Sequence, residues 1–123
     1  MDPQSKRRSE LEADVPVVAL TGEIDLAVAP SLQQRLDQLL SRGSTTIVVD
    51  LLGATFLDSI ALGVLVGTLD RCREAGGDLH LVVTEPRILK VLQITGLSDT
   101  FPIHSTRQGS TDAQGPTGEE GKQ

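Results

Sequence analysis

Residues 48–75 limit the possible folds more than any other stretch of the chain. The sequence TIVVDL at residues 46–51 is rich in β-branched side chains, which predicts a buried strand. The apolar pattern at residues 59–75 continues for too long to be a strand and stops at Gly76, which predicts a helix. Residues 53–57 are predicted to form the loop that crosses between these two elements.

The same alternation of strands and helices extends to both sides of this stretch. Further strands are predicted at residues 17–21, 78–83 and 101–103, with an edge strand at residues 10–13. Further helices are predicted at residues 29–42 and 86–95, where apolar residues recur at helical spacing. Alternating elements with short loops predict an α/β fold with a mostly parallel, mixed sheet of four to five strands and three to four helices.

The composition excludes several classes of function. A net charge of −6 argues against a partner that is nucleic acid or an anionic membrane. With Cys72 as the single cysteine, the chain forms no intramolecular disulfide or cysteine-based metal cluster, and we expect a spare or partly buried thiol in preference to a redox-active one. The first ten residues lack the apolar core of a signal peptide, and the apolar run at residues 60–66 is too short for a bilayer. We therefore expect a cytoplasmic protein.

Two acidic segments follow neighbouring predicted strands. Residues 22–25 form a polar loop that contains Glu23 and Asp25, and Asp58-Ser59 opens the helix after the next strand. Because parallel strands end at the same edge of a sheet, we expect these segments to lie close together. A phosphate added to Ser59 would lie at the positive end of a helix dipole and would place about two negative charges beside these carboxylates. The alternative is an ordinary N-cap serine, which contributes about 1 kcal/mol to helix stability.

Catalysis is not expected of this chain. Ser59 lacks the G-x-S-x-G context of a hydrolase nucleophile. His80 is predicted in the middle of a strand, facing solvent or in a polar contact, and His104 is predicted in a surface loop. Neither histidine is placed to act as a base for Ser59, so the chain is predicted not to be an enzyme.

Cofactor and metal sites are also not expected. The carboxylates of Glu23, Asp25, Asp50 and Asp58 match no ligand spacing of a metal-binding loop. Gly63 and Gly67 lie inside a predicted helix and so do not form a phosphate-binding loop. Their spacing of four residues indicates instead a close approach between this helix and a strand.

Three stretches in order resemble the STAS-domain anti-sigma factor antagonists of bacteria. They are LTGEID at residues 20–25, VVDLLGATFLDSIALGVLVG at residues 48–67 and ILKVLQITGLSDTFPIHST at residues 88–106. The resemblance covers residues 17–103 and implies a single STAS-like domain at residues 10–105. A loose segment at residues 1–9 would precede it, and a tail at residues 106–123, too polar to fold, would follow.

The resemblance implies a regulatory function. In this family the unphosphorylated antagonist binds an anti-sigma factor that is also a serine kinase, and thereby frees a sigma factor. Phosphorylation, here at Ser59, releases the antagonist, and a phosphatase of the PP2C type resets it. The partner-binding residues that the resemblance implies are Glu23, Asp25, Asp58, Ser59, Ile60 and Ala61.

Two positions depart from the family pattern. Ile60 stands where Ser or Thr is usual, and Ala61 stands where Gly is usual. These departures leave open a constitutive binding module that is not phosphorylated. An accessory subunit of a membrane transporter and a sensor of a small ligand are two further functions that the sequence leaves open.

Overall fold

The computed structural model describes residues 15–107, and the strands of this part form one parallel sheet. The strands are β1 (Val17–Ile24), β2 (Ile47–Leu57), β3 (Leu79–Val82) and β4 (Ile103–His104), in the order β1-β2-β3-β4. The helices are α1 (Ala29–Ser41), α2 (Ser59–Glu74) and α3 (Pro86–Ile94), with a 3-10 turn at Leu97–Asp99. The α/β prediction is therefore confirmed, with four strands and three helices in the described part. The predicted edge strand at residues 10–13, the segment at residues 1–9 and most of the tail at residues 106–123 lie outside the described residues.

The hydrophobic core lies between one face of the sheet and the helices. Alternate residues of each strand point into it, such as Val18 in β1, Val49 in β2 and Leu81 in β3. The helices contribute Leu36, Leu65 and Leu92, among other buried side chains. Strands in sequential order with right-handed crossovers place their helices on the same face, which explains why one core serves all three helices.

The β2 strand is longer than predicted, because residues 53–57 continue it instead of forming a loop. Two register shifts against β1 each add one residue to β2, so the residues that join the hydrophobic core change from a spacing of two, up to Leu51, to a spacing of three. The residues buried at this wider spacing are Leu51, Ala54 and Leu57. Pattern recognition based on strict alternation misses this half of the strand.

The β1 strand also continues past its predicted end at residue 21, to Ile24. Just before this extension, Thr21 pairs with Gly53 of β2. A Cβ atom on Gly53 would lie 2.8 Å from Cγ2 of Thr21, so glycine permits the close approach of the two strands at this point.

The paired ends of β1 and β2 project beyond the rest of the sheet. β3 pairs with β2 only from Ile47 to Asp50. The later residues of β2, as far as Leu57, pair with β1 alone. This two-stranded projection carries the carboxyl ends of both strands, and α2 begins directly after it.

The surroundings of the two glycines in α2 differ from the prediction. Gly63 and Gly67 are both exposed, and a Cβ atom at either position would meet nothing within 4 Å. The expected close approach between these glycines and a strand is therefore wrong. The four-residue spacing alone does not distinguish a glycine that faces a strand from one that faces solvent.

The two histidines contact each other at the β3–β4 pair. Nδ1 of His80 lies 2.9 Å from Nε2 of His104, which belongs to β4 and not to a surface loop as predicted. The polar contact expected for His80 is therefore confirmed. Burial lowers the pKa of both imidazoles, and the neighbouring His104 lowers the pKa of His80 further.

Cys72 is fully buried in the core, more deeply than the spare or partly buried thiol expected from the sequence, and burial raises the pKa of its thiol. Among residues 15–107, no group of three His, Cys, Asp or Glu side chains is placed to hold a metal ion. No helix in this part of the chain has the length and apolar character needed to cross a membrane.

Candidate functional site

Asp58, and not Ser59, is the N-cap of α2. Its backbone is extended (φ −91, ψ 176), and its Oδ1 accepts a hydrogen bond from the Ala61 N–H at 2.9 Å. Its carbonyl oxygen also accepts the Leu62 N–H at 2.9 Å, which is the first bond of the helix ladder. The alternative that Ser59 is an N-cap residue is therefore wrong.

Ser59 is the first residue of α2, and its side chain is exposed. Its hydroxyl makes no hydrogen bond to any residue in the described part of the chain. Because Asp58 already caps the helix, the hydroxyl has no role in stabilising the helix start. It lies at the positive end of the helix dipole, where added negative charge is tolerated.

Asp25 turns the chain from β1 towards α1. Its Oδ1 accepts the Ala27 N–H at 3.0 Å, and its carbonyl oxygen accepts the N–H groups of Val28 and Ala29, each at 3.0 Å. The side chain at the N-cap of α1, Val28, makes no capping bond. The carboxylate of Asp25 therefore organises the loop before α1, much as that of Asp58 organises the start of α2.

The structure brings these two acidic turns side by side, as the topology predicts. Ile24 of β1 pairs with Leu57 of β2. The residue after Leu57, Asp58, donates its backbone N–H to the carbonyl oxygen of Ile24 at 3.1 Å. Asp25 and Asp58 thus directly follow two paired residues, and Ser59 is the next residue along the chain.

The other predicted site residues differ in their exposure. Glu23 is exposed and pairs with Phe56 across the two strands. Ile60 is 50% exposed beside Ser59. Ala61 is fully buried, and its methyl group belongs to the hydrophobic core. Among the six predicted residues, Ala61 is therefore the one whose side chain is hidden from solvent. Its backbone N–H contributes to this edge by donating the hydrogen bond to Asp58.

Two residues at this edge were missed by reasoning from the sequence. Leu26 is 65% exposed in the loop after β1, and Phe56 is 45% exposed near the end of β2. Together with Ile60 they form what we call the edge patch, three large apolar side chains close along the chain to the Ile24–Leu57 pair. A signal for Leu26 was available, because an apolar residue inside a polar loop has no strand or helix face to bury it.

The charge around the edge patch is negative. Residues 22–28 and 51–62 contain three carboxylates, Glu23, Asp25 and Asp58, and no Lys, Arg or His. Asp50, which was considered with these carboxylates as a possible metal ligand, lies earlier on β2. Its Oδ2 is 2.5 Å from Nε of Arg107. The site therefore contains exposed apolar side chains, one exposed hydroxyl and three carboxylates, all close along the chain to the Ile24–Leu57 pair.

The chain is similar in sequence to known proteins over most of its length. A family model described as the STAS domain matches residues 7–110. The anti-sigma-B factor antagonist of Bacillus subtilis (strain 168) is 35% identical over 92 residues, which are 75% of this chain and 84% of that protein.

Solved structures show the same fold. An anti-sigma factor antagonist from Mycobacterium paratuberculosis superposes with a TM-score of 0.74 at 31% identity, over 81% of this chain and 86% of that one. SpoIIAA, a Bacillus cell fate determinant, in its phosphorylated form has a TM-score of 0.65 at 23% identity, over 82% of this chain and 92% of that one. At that identity the likeness to SpoIIAA concerns the fold alone. From the family model and the 35% identical relative together, the chain belongs to the STAS-domain family of anti-sigma factor antagonists.

Proposed function

We propose that this chain works in a partner-switching module of the cytoplasm. The unphosphorylated form binds an anti-sigma factor with serine-kinase activity and thereby frees a sigma factor. Phosphorylation at Ser59 ends the complex, and a phosphatase of the PP2C type restores the binding form. The name of the Bacillus subtilis relative, an anti-sigma-B factor antagonist, supports an anti-sigma factor as the partner.

The observation that carries this proposal is the state of Ser59. Its side chain is exposed, its hydroxyl is unbonded in the described part of the chain, and its neighbour Asp58 caps the helix in its place. A serine that stabilised the helix start would resist modification, because the phosphate would displace a capping bond. At Ser59 the modification replaces no such bond.

The expected effect of the phosphate is local. It adds a charge of about −1.5 to −2 at the start of α2, where the helix dipole is favourable. The carboxylates of Asp25 and Asp58 lie beside this position and repel the added charge. A binding partner would have to remove water from all of these groups, so phosphorylation weakens docking while the fold persists.

The proposed binding residues are Glu23, Asp25, Asp58, Ser59 and Ile60, with Ala61 in a supporting role. Ala61 keeps its methyl group in the core. An alanine in place of the glycine that is usual in the family therefore adds no exposed side chain to the binding surface. Ile60 is exposed next to the hydroxyl and alters the surface that a kinase would contact. This observation favours a second candidate, a constitutive antagonist that binds without being phosphorylated.

A capture experiment from lysate of the source cells tests the proposal. The baits are the wild-type chain, Ser59→Ala and Ser59→Asp, with bound proteins identified by mass spectrometry. Ser41→Asp is the control, because Ser41 is exposed at the last residue of α1, at the opposite edge of the sheet. We expect an anti-sigma factor ATPase on the wild type, Ser59→Ala and Ser41→Asp, and its absence on Ser59→Asp.

Two further outcomes separate the candidates. If Ser59→Asp captures the same ATPase and the purified ATPase transfers no phosphate from ATP to the wild-type chain, the protein is a constitutive antagonist. If none of the baits captures an anti-sigma factor, the proposed function is wrong.

A further inference from the structure

The edge patch exposes apolar surface that the fold itself does not require. The chain has two phenylalanines, and Phe101 is buried in the core whereas Phe56 is 45% exposed. Leu26 and Ile60, which follow the two residues of the Ile24–Leu57 pair along the chain, are at least half exposed. Large apolar side chains left exposed near one another in the chain are typical of surfaces that dock onto another protein, and aromatic residues are frequent at the energetic centre of such surfaces.

The orientation of Phe56 follows from the second register shift in β2. Gly22 pairs with Ala54, but the next residue of β1, Glu23, pairs with Phe56, so Thr55 is the extra residue of the bulge. This shift places Leu57 in the core and leaves Phe56 outside. A β-bulge re-aims side chains in this manner, and here it leaves an aromatic ring exposed shortly before the proposed phosphorylation site in the chain.

The charges beside the edge patch restrict the chemistry of its partner. Glu23 is paired with Phe56, and Asp25 and Asp58 follow the ends of the same two strands. With no Lys, Arg or His at residues 22–28 and 51–62, nothing within these stretches neutralises the carboxylates. A complementary surface has an apolar pocket and basic residues around it.

We propose that Phe56 anchors this chain to its partner by entering an apolar pocket of the anti-sigma factor that is rimmed by Lys and Arg, with Leu26 and Ile60 packing beside it. This inference rests on the proposed function and adds the residues that determine affinity. It also explains the effect of the phosphate, because Ser59 directly precedes Ile60 in the edge patch. A doubly charged group there must lose its water when the apolar surfaces meet.

The chain offers matched controls for Phe56. Leu52 lies on the same strand with the same exposure, 45%. It precedes Ala54 and is therefore farther from the carboxyl end of the strand than Phe56. Ile94 is 73% exposed at the last residue of α3, which runs back from the carboxyl end of β3 to the opposite edge of the sheet. Both residues are exposed and apolar, and both lie outside the edge patch.

Titration calorimetry on the full chain tests the proposal. The probe is the anti-sigma factor ATPase captured by the wild-type chain, produced and purified separately. We expect Phe56→Ala and Ile60→Ala to raise Kd at least tenfold, whereas Leu52→Ala and Ile94→Ala leave it within twofold. We expect Phe56→Leu to lie between Phe56→Ala and the wild type. Thermal unfolding of each variant shows whether it is folded, and Phe56→Leu keeps the test valid if Phe56→Ala is not.

Salt dependence tests the basic rim of the pocket. We expect Kd of the wild type to rise with NaCl concentration, and Glu23→Gln to reduce this dependence.

Three results would overturn the inference. If Phe56→Ala, like the control Leu52→Ala, binds the ATPase as tightly as the wild type, the anchor lies elsewhere while the proposed function stands. If sedimentation shows that Phe56→Ala abolishes a homodimer without changing Kd for the ATPase, the edge patch joins two copies of this chain. If the wild type binds no anti-sigma factor, the proposed function fails and this inference fails with it.

Discussion

The backbone N–H of Asp58 donates a hydrogen bond to the carbonyl oxygen of Ile24 at 3.1 Å. This bond is the last link between β1 and β2, and it fixes the start of α2 against the turn that contains Asp25. The relative position of the two acidic turns is therefore set by the backbone. Substitutions at exposed positions that make no such bond, such as Ser59, can change the surface of the site without changing this framework.

The capping of α2 gives a prediction about two adjacent residues. Asp58→Ala removes the bond from the Ala61 N–H, so we expect the free energy of unfolding to fall by about 1 kcal/mol. Ser59→Ala removes a hydroxyl that makes no bond in the described part of the chain, so we expect a change within about 0.5 kcal/mol. Urea denaturation of both variants measures the difference, and a larger loss for Ser59→Ala would contradict the assignment of the cap.

The close approach at Gly53 gives a prediction about the projection of β1 and β2. In Gly53→Ala the new Cβ would lie 2.8 Å from Cγ2 of Thr21, and we expect a loss of about 1–3 kcal/mol in stability. Gly63→Ala is the control, because its Cβ would enter open space on a helix, and we expect a gain of about 0.5–1 kcal/mol.

A double-mutant cycle identifies the cause of the loss at Gly53. Thr21→Ala removes Cγ2, so Gly53→Ala should be much less costly in that background. An equal loss in both backgrounds would mean that the threonine methyl group is not the obstacle.

The histidine pair gives a prediction about pH. Burial lowers the pKa of His80 and of His104 below the usual value of 6.5, so the folded state favours neutral imidazoles. The unfolded chain then binds more protons as pH falls below 6.5, and the free energy of unfolding decreases from that point downward. Urea denaturation between about pH 7.5 and about pH 5.5, roughly one unit on either side of the usual histidine pKa, measures the slope.

His104→Gln is the matched variant for this measurement. It removes one titrating group and also the neighbouring imidazole that lowers the pKa of His80. We expect a shallower decrease of stability with falling pH than in the wild type. An unchanged slope in His104→Gln would assign the pH dependence to other groups.

The single thiol gives a prediction about reactivity. Cys72 is buried, and its raised pKa reduces the thiolate fraction at neutral pH. We expect slow reaction with a disulfide reagent such as DTNB in native buffer and rapid reaction in concentrated urea. Because the chain has one cysteine, the absorbance change reports this residue alone. Rapid reaction of the native chain would mean that the core around α2 opens readily.

Much of the fold is predictable from the sequence for a physical reason. The helices α1 and α3 have leucine and isoleucine at helical spacing, and their first turns contain Pro30 and Pro86. The late half of β2 is not predictable in this way, because its bulges change the spacing of the residues that face the core from two to three. A bulge depends on the partner strand, which local patterns do not describe.

The site is predictable in part. Acidic residues after two parallel strands indicate one edge of the sheet, and the Ile24–Leu57 pair brings them there. The sequence does not reveal which of Asp58 and Ser59 is the cap, because both residue types are good caps. It also does not reveal the exposure of Phe56, because a phenylalanine next to a leucine is compatible with either side chain being buried.

The projection of β1 and β2 beyond β3 divides β2 into two parts that differ in their tolerance of substitutions. Residues before Asp50 in β2 lie between two strands, so a change there disturbs the centre of the sheet. The outward residues of the projection, such as Phe56, contact neither β3 nor β4 through strand pairing. Substitutions at the outward residues of the projection can therefore alter that surface while the centre of the sheet keeps its pairing.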